Sequence, residues 1–375
     1  MVMQSTDVYV GGFVFFSPTT HFTEVADMIE PFTHLTVCLD MAGCPNRCRH
    51  CWLGHAPNGH LTEDDLTFVA EAFRPFTGCL PVYDWYREPD YPDRYEARWA
   101  LCQRLSDVHE AHFELVSFWR IVRDPRYVQW LSALGLKQAQ LTLFGGPETT
   151  DFYTGRKGAY HEILEAMEIL IAHRISPRIQ IFVNQENLCE LPFLESLIER
   201  LDLDNRCKAF GGEFSCFMHQ GSCDGENEKL YGIRVTSDDL SRIPPVLAAY
   251  TRKHFHRSRI EDVFGQTEQS LYAQLIDDSS TASYVSRTPV FYVDGQFNVY
   301  PNVAPPEPAW RLGNLKADGV EAVLENYVQS KSIAQRTRLT VPLGRIVTSQ
   351  GDPASQRLFS EGDYIEYLLN TYCRR

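Results

Sequence analysis

Cys44, Cys48 and Cys51 lie in the run Met41-Ala-Gly-Cys-Pro-Asn-Arg-Cys-Arg-His-Cys-Trp52, spaced C-x-x-x-C-x-x-C. Closely spaced thiolates are how proteins hold iron–sulfur clusters. Three of them fill three corners of a [4Fe–4S] cubane and leave one iron open to another ligand. With His55 the same run reads C-x-x-x-C-x-x-C-x-x-x-H, which also suits tetrahedral zinc. Zinc modules of that kind staple small domains that lack a core, whereas this loop sits inside a large chain. A zinc-stabilised binding protein is therefore the remote alternative.

The loop needs a scaffold, and composition bounds what that scaffold is. The 375 residues are 44% hydrophobic and 12% aromatic, which suits one large domain or two. A formal net charge of −14 repels phosphate backbones and argues against nucleic acid as a partner. No apolar run approaches the ~18 residues of a membrane span, so no membrane partner is expected. Tyr9-Val-Gly-Gly-Phe-Val-Phe-Phe16 is short, carries two glycines and has no basic residue before it, so it reads as a strand and not as a signal peptide. Eleven cysteines without a signal peptide predict a reducing compartment, the cytoplasm.

Between residues 34 and about 215 the chain alternates short apolar runs with amphipathic stretches, the pattern of repeated βα units. Strands are expected over 34–39, 79–85, 113–119, 138–144, 178–183 and 207–217. Helices are expected over 61–73, 94–108, 125–134, 160–173 and 191–201, with Thr62 as an N-cap and Pro125 at a first helical position. Six units are too few for a closed eight-stranded barrel, so the expected class is α/β, an open partial barrel of six βα units. A polar turn at Asp224-Gly-Glu-Asn-Glu-Lys229 separates a smaller α+β region. That region is expected to hold a helix over 238–256 and a hairpin turning at Asp294-Gly295. The resulting division is an N-terminal extension 1–33, a barrel 34–223 and a C-terminal domain 224–375.

The cysteine loop after a first strand resembles the radical S-adenosylmethionine (radical SAM) superfamily, over about residues 34–215. In that family the open iron chelates SAM and the fold is a partial βα barrel. The resemblance continues at Trp85-Tyr-Arg-Glu-Pro89, which keeps the E-P of a G-G-E-P-like turn, with Tyr86 and Arg87 in place of its glycines. It implies that Glu88 contacts SAM. Thr142-Leu-Phe-Gly-Gly-Pro-Glu-Thr-Thr-Asp-Phe-Tyr-Thr-Gly-Arg-Lys-Gly158 resembles a segment of members with a SPASM or twitch domain, with Phe144 replacing the usual aspartate. It implies SAM contacts from Thr142 and from Arg156, whose guanidinium can hold a carboxylate. Asn184, ending Ile179-Gln-Ile-Phe-Val-Asn184, is similarly implied at the adenine or ribose, and His50 beside the last cysteine at the adenine. Asn184 also fits a simple turn residue.

Val293-Asp-Gly-Gln-Phe-Asn-Val-Tyr-Pro-Asn302 and Leu312-Gly-Asn314 resemble the hairpin of a SPASM domain. Asn302 stands where a cluster cysteine is usual, and no cysteine lies between Cys223 and Cys373. One cluster and no auxiliary cluster are expected. Cys207, Cys216 and Cys223, separated by nine and seven residues, match no metal motif. They read as buried small hydrophobes, or Cys216 or Cys223 faces the substrate as a hydrogen-atom donor. Lys253-His-Phe-His-Arg-Ser-Arg259 reads as a solvated basic helix end.

The resemblance implies an enzyme that cleaves SAM to a 5′-deoxyadenosyl radical, with a flavodoxin or ferredoxin as electron donor. Rearrangement, addition or epimerisation of a small-molecule substrate is favoured, because the short stretch before the first strand leaves little room for a peptide-recognition domain. A maturase acting on a ribosomally made peptide is the alternative.

Overall fold

The computed structural model describes residues 32–39, 44–51, 61–83, 94–109, 116–222, 225–301 and 307–375. The first strand, β1 (Thr36–Leu39), leads through the cysteine loop to α1 (Glu63–Phe73). The Thr62 hydroxyl accepts from the Asp65 amide at 3.2 Å, and Asp65 Oδ2 accepts from the Thr62 amide at 2.9 Å. This reciprocal cap starts the helix, which buries the expected face of Leu66, Val69, Ala70 and Phe73. Next come β2 (Val82–Tyr83), α2 (Tyr95–Leu105), α3 (Phe118–Arg123) and α4 (Pro125–Ala133).

The central units are β3 (Gln138–Leu143), α5 (Pro147–Thr154), α6 (Ala159–Ala172), β4 (Ser176–Phe182), α7 (Leu191–Leu201), α8 (Leu203–Lys208) and β5 (Ser215–His219). The strands β3, β4 and β5 pair in parallel, with Leu141 opposite Ile179 and Ile179 opposite Cys216. Side chains alternate across a strand. Leu141, Ile179 and Cys216 therefore share one face, in a core that includes Ile163 and Leu170 of α6 and Leu194 of α7. Thr142, Gln180 and Phe217 occupy the opposite face, which is the inner one.

Downstream lie α9 (Pro245–His254), α10 (Glu261–Phe264), β6 (Gln266–Thr267), α11 (Glu268–Leu275), β7 (Val290–Val293), β8 (Asn298–Tyr300) and β9 (Gly313–Asn314). The chain ends with α12 (Val320–Val328), α13 (Ile333–Thr340), α14 (Leu343–Gln350), β10 (Leu358–Phe359) and α15 (Glu361–Cys373). The expected hairpin is present: β7 and β8 pair antiparallel around Asp294, whose Oδ1 accepts from the Gln296 and Asn298 amides at 2.8 and 2.9 Å. Gly313–Asn314 adds a third strand to it.

The hairpin does not stand apart. Among the described residues β7 pairs in parallel with β1, giving a sheet ordered β2-β1-β7-β8-β9 beside the separate sheet β3-β4-β5. No helix of the described residues is long and apolar enough to cross a membrane.

Three expected elements are corrected. Of 113–119, residues 113–115 lie outside the described residues, and Ser117 caps α3, its hydroxyl accepting from the Arg120 amide at 3.2 Å, so that a helix occupies 118–119. The expected strand over 207–217 begins instead as α8, and β5 starts only at Ser215. The expected helix over 238–256 breaks at Pro244, whose ψ of 140° is extended, so that α9 starts at Pro245. Proline lacks the N–H a helix interior needs and pushes the residue before it out of the helical region.

Candidate cluster and cofactor site

Cys44, Cys48 and Cys51 are half-buried on one loop. The loop is docked onto the far end of α5. The Arg47 amide donates to the Thr154 carbonyl at 3.0 Å and the Arg49 amide to the Tyr153 carbonyl at 2.8 Å. Gly155 ends α5 with φ +69°, and a Cβ there would collide with the Arg47 carbonyl. Only glycine meets both conditions. The Cys51 amide turns back to the Cys48 carbonyl at 3.2 Å, and the Cys51 carbonyl accepts from the Glu226 amide at 2.9 Å, so the segment after β5 also touches the loop.

Arg156 is the side-chain part of this docking. Its Nε donates to Asn46 Oδ1 at 2.8 Å, and its Nη2 pairs with Glu162 at 2.5 Å. Burial alone would raise the Glu162 carboxyl, but hydrogen bonds from Arg123 and Arg156 hold it below the usual range. The expected contact of Arg156 with the SAM carboxylate would have to share the guanidinium with these partners. Through Nε and Nη2 the guanidinium joins the cysteine loop to α6.

His50 packs between Phe144 and Phe182, with ring centroids 4.7 and 4.9 Å apart. Burial, and then repulsion from His219, lowers its pKa to about 3, so the ring is neutral near pH 7. Its Nδ1 is buried without a hydrogen-bond partner among the described residues. Phe144, in place of the expected aspartate, stacks on Tyr153 at 5.3 Å. Beside this aromatic wall is a cleft of about 370 Å³ lined by Glu148, Thr149, Phe152, Tyr153, Glu186 and Asn187.

Asn184 is buried and engaged inside the fold. Its Nδ2 donates to the Tyr153 hydroxyl at 2.8 Å, and its Oδ1 accepts from the Glu186 and Asn187 amides at 2.9 and 3.2 Å. It acts here as a turn residue. Thr142 lies on the inner face with its hydroxyl 3.3 Å from Gln180 Oε1. Glu88, His55, Cys223 and Asn302 lie outside the described residues. Cys216 is corrected as a hydrogen-atom donor: the strand alternation turns its thiol into the helix-side core, where burial pushes its pKa well above the ordinary thiol value.

The donor set fits an iron–sulfur cluster in its chemistry. Three thiols share one eight-residue loop, and the sequence from Met41 to Thr62 holds two arginines and no acid to oppose thiolate formation. Among the described residues no three ligating side chains are gathered at metal-binding spacing. The unpartnered His50 Nδ1, in an aromatic cage next to Cys51, suits an aromatic ligand with a polar edge.

Sequence reasoning passed over three inner-face residues, Gln140, Arg178 and Gln180. Their signal was polar side chains at alternate positions of otherwise apolar strands, Gln138-Ala-Gln140-Leu-Thr142 and Arg178-Ile-Gln180-Ile181.

Known proteins resemble this chain in family and in fold. Residues 39–191 match the model of the radical SAM superfamily. Over those residues the chain carries a radical SAM domain, which makes it a SAM-dependent enzyme. No curated protein sequence matches it. Native anSMEcpe with bound AdoMet and Cp18Cys peptide is 14% identical with a TM-score of 0.51, over 91% of this chain and 97% of that one. Native anSMEcpe with bound AdoMet is 13% identical with a TM-score of 0.50, over 91% and 98%. The shared fold therefore runs through both the barrel and the C-terminal third.

Proposed function

We propose that this enzyme holds a single [4Fe–4S] cluster through Cys44, Cys48 and Cys51, and uses it with SAM to abstract hydrogen from a small-molecule substrate. When bound, the cluster and SAM supply the one-electron cleavage that yields methionine and a 5′-deoxyadenosyl radical. The protein's part is to hold the loop against α5, to offer the cage of His50, Phe144 and Phe182, and to keep water from the inner face. Glu88 and Thr142 are proposed as further SAM contacts.

The observation that carries this reading is the docking of the cysteine loop beside that cage. A single cluster is supported by the sequence, which has no thiol from 224 to 372. With no second cluster to take an electron, the substrate radical rearranges, adds to another group or is quenched by a hydrogen donor, for which Cys223 remains the candidate. A flavodoxin or ferredoxin in the cytoplasm is the proposed reductant.

A peptide substrate is the second reading, favoured by one observation: the fold spans nearly the whole of anSMEcpe, which is described with a bound peptide. The deciding experiment is anaerobic reconstitution followed by SAM and dithionite. Brown protein that forms 5′-deoxyadenosine supports the proposal, and a colourless zinc protein refutes it.

A further inference from the structure

Three side chains on the inner face form a hydrogen-bond chain with a fixed direction. Arg178 donates through Nε and Nη2 to Gln140 Oε1, at 3.1 and 2.8 Å. A guanidinium has donors and no acceptor, so the Gln140 amide must turn its oxygen toward Arg178. Its Nε2 is left to donate to Gln180 Oε1 at 2.8 Å. The Thr142 hydroxyl approaches the same oxygen at 3.3 Å. With its oxygen taken, Gln180 must direct Nε2 elsewhere, and that group has no partner among the described residues. An amide's orientation is ordinarily ambiguous; here the donor-only arginine at the end of the chain settles it for both glutamines.

The place of this donor follows from strand geometry. Thr142 and Gln180 each lie two residues before the phenylalanines that cage His50, on the same face of neighbouring strands. Two residues of strand span about 7 Å. The Gln180 amide therefore sits one step down the inner wall from the cage beside Cys51.

We propose that Gln180 Nε2 is a substrate-recognition donor, and that the group it recognises is a carboxylate or carboxamide oxygen. Arg178 and Gln140 are positioning residues that act through it. An acceptor-bearing substrate gives the Gln180 Nε2 donor a partner, whereas an ammonium group meets a donor there and is rejected. The inference rests on the proposed function, because it takes the inner wall as the substrate side of a SAM-dependent site.

The test uses reconstituted, SAM-loaded protein and two small probes, N-acetylglycine and n-butylammonium, with binding read by saturation-transfer NMR. N-Acetylglycine should bind the wild-type protein and n-butylammonium should not. Gln180→Ala should weaken N-acetylglycine about 10-fold or more, as expected for a lost hydrogen bond to a charged group. Gln180→Glu, nearly isosteric, should reverse the preference. Arg178→Met should lose the discrimination by freeing both amides to turn, and Arg178→Lys should restore much of it.

N-Acetylglycine that fails to bind the wild type, or binds the Gln180→Ala and Gln180→Glu proteins unchanged, overturns the proposal. Iron content and 5′-deoxyadenosine formation with dithionite are measured on the same preparations. Their absence in the wild type would refute the radical SAM reading itself, a failure separate from that of the wall.

Discussion

Asn46 accepts a hydrogen bond from Arg156 Nε at 2.8 Å, across a separation of 110 residues. The middle of the cysteine loop is thereby tied to the turn between α5 and α6. Arg156→Ala and Asn46→Ala should each loosen the loop. Losing the charge-assisted bond costs about 1.5–3 kcal/mol, and reconstituted iron per chain should fall below the wild-type value in both variants. Wild-type iron with weakened SAM binding in Arg156→Ala alone would instead return Arg156 to the cofactor.

Cys44→Ala, Cys48→Ala and Cys51→Ala should each abolish cluster assembly and SAM cleavage, since three thiolates are the fewest that leave one open iron on a cubane. The measurement is iron and sulfide content together with 5′-deoxyadenosine. Product formed by any one of these variants would sink the ligand assignment.

Gly155→Ala combines a left-handed backbone with a collision at the Arg47 carbonyl. A strained non-glycine residue of this kind costs on the order of 1–3 kcal/mol. Chemical denaturation should show that loss, and cluster loading should fall with it. An unshifted midpoint would mean that the loop does not lie where the structure has it.

Iron stoichiometry tests the single-cluster reading. Reconstituted protein should hold about four irons per chain, as one cubane requires. Seven or eight, with a paramagnetic cluster surviving in the triple alanine variant of the loop cysteines, would overturn it.

Burial, and then nearby positive charge, lowers His219 and His254 to about 4 from an ordinary 6.5. A histidine whose folded pKa is depressed takes up protons more readily when unfolded. Its neutral form therefore supports the fold fully above pH 6.5, and that support is lost as pH falls toward 4. Urea midpoints measured from pH 7 to pH 5 should decline, and His254→Asn should flatten the slope. A pH-independent midpoint in the wild type would contradict this.

Local signals carried most of the barrel. The alternation in Gln138-Ala-Gln-Leu-Thr-Leu143 placed β3, and Thr62 marked the start of α1 at the right residue. The helix α5 was missed although Pro147 and Gly155 bracket it, because eight residues with an exposed Phe152 show little helical periodicity. The spacing of Cys44, Cys48 and Cys51 singled out the loop, and the fold adds its docking onto α5. The internal contacts of Arg156 and Asn184 were not legible, since they depend on partners that only the folded chain supplies: Asn46 and Glu162 for the one, Tyr153 for the other. Cys216 illustrates how one step in strand register decides a role: its neighbour Phe217 faces inward and its own thiol does not.

The strand that carries the cysteine loop takes a hydrogen-bonded neighbour from the other end of the molecule, Thr36 opposite Val290 and Leu39 opposite Val293. Pairings so distant in sequence are slow to form, because a long loop must close before any contact rewards it. During synthesis β1 emerges early, yet its sheet cannot be completed until the ribosome has passed residue 293. The sheet that backs the cysteine loop is thus completed late in the life of the polypeptide. A nascent chain halted before β7 should emerge unable to retain iron, however intact its three cysteines.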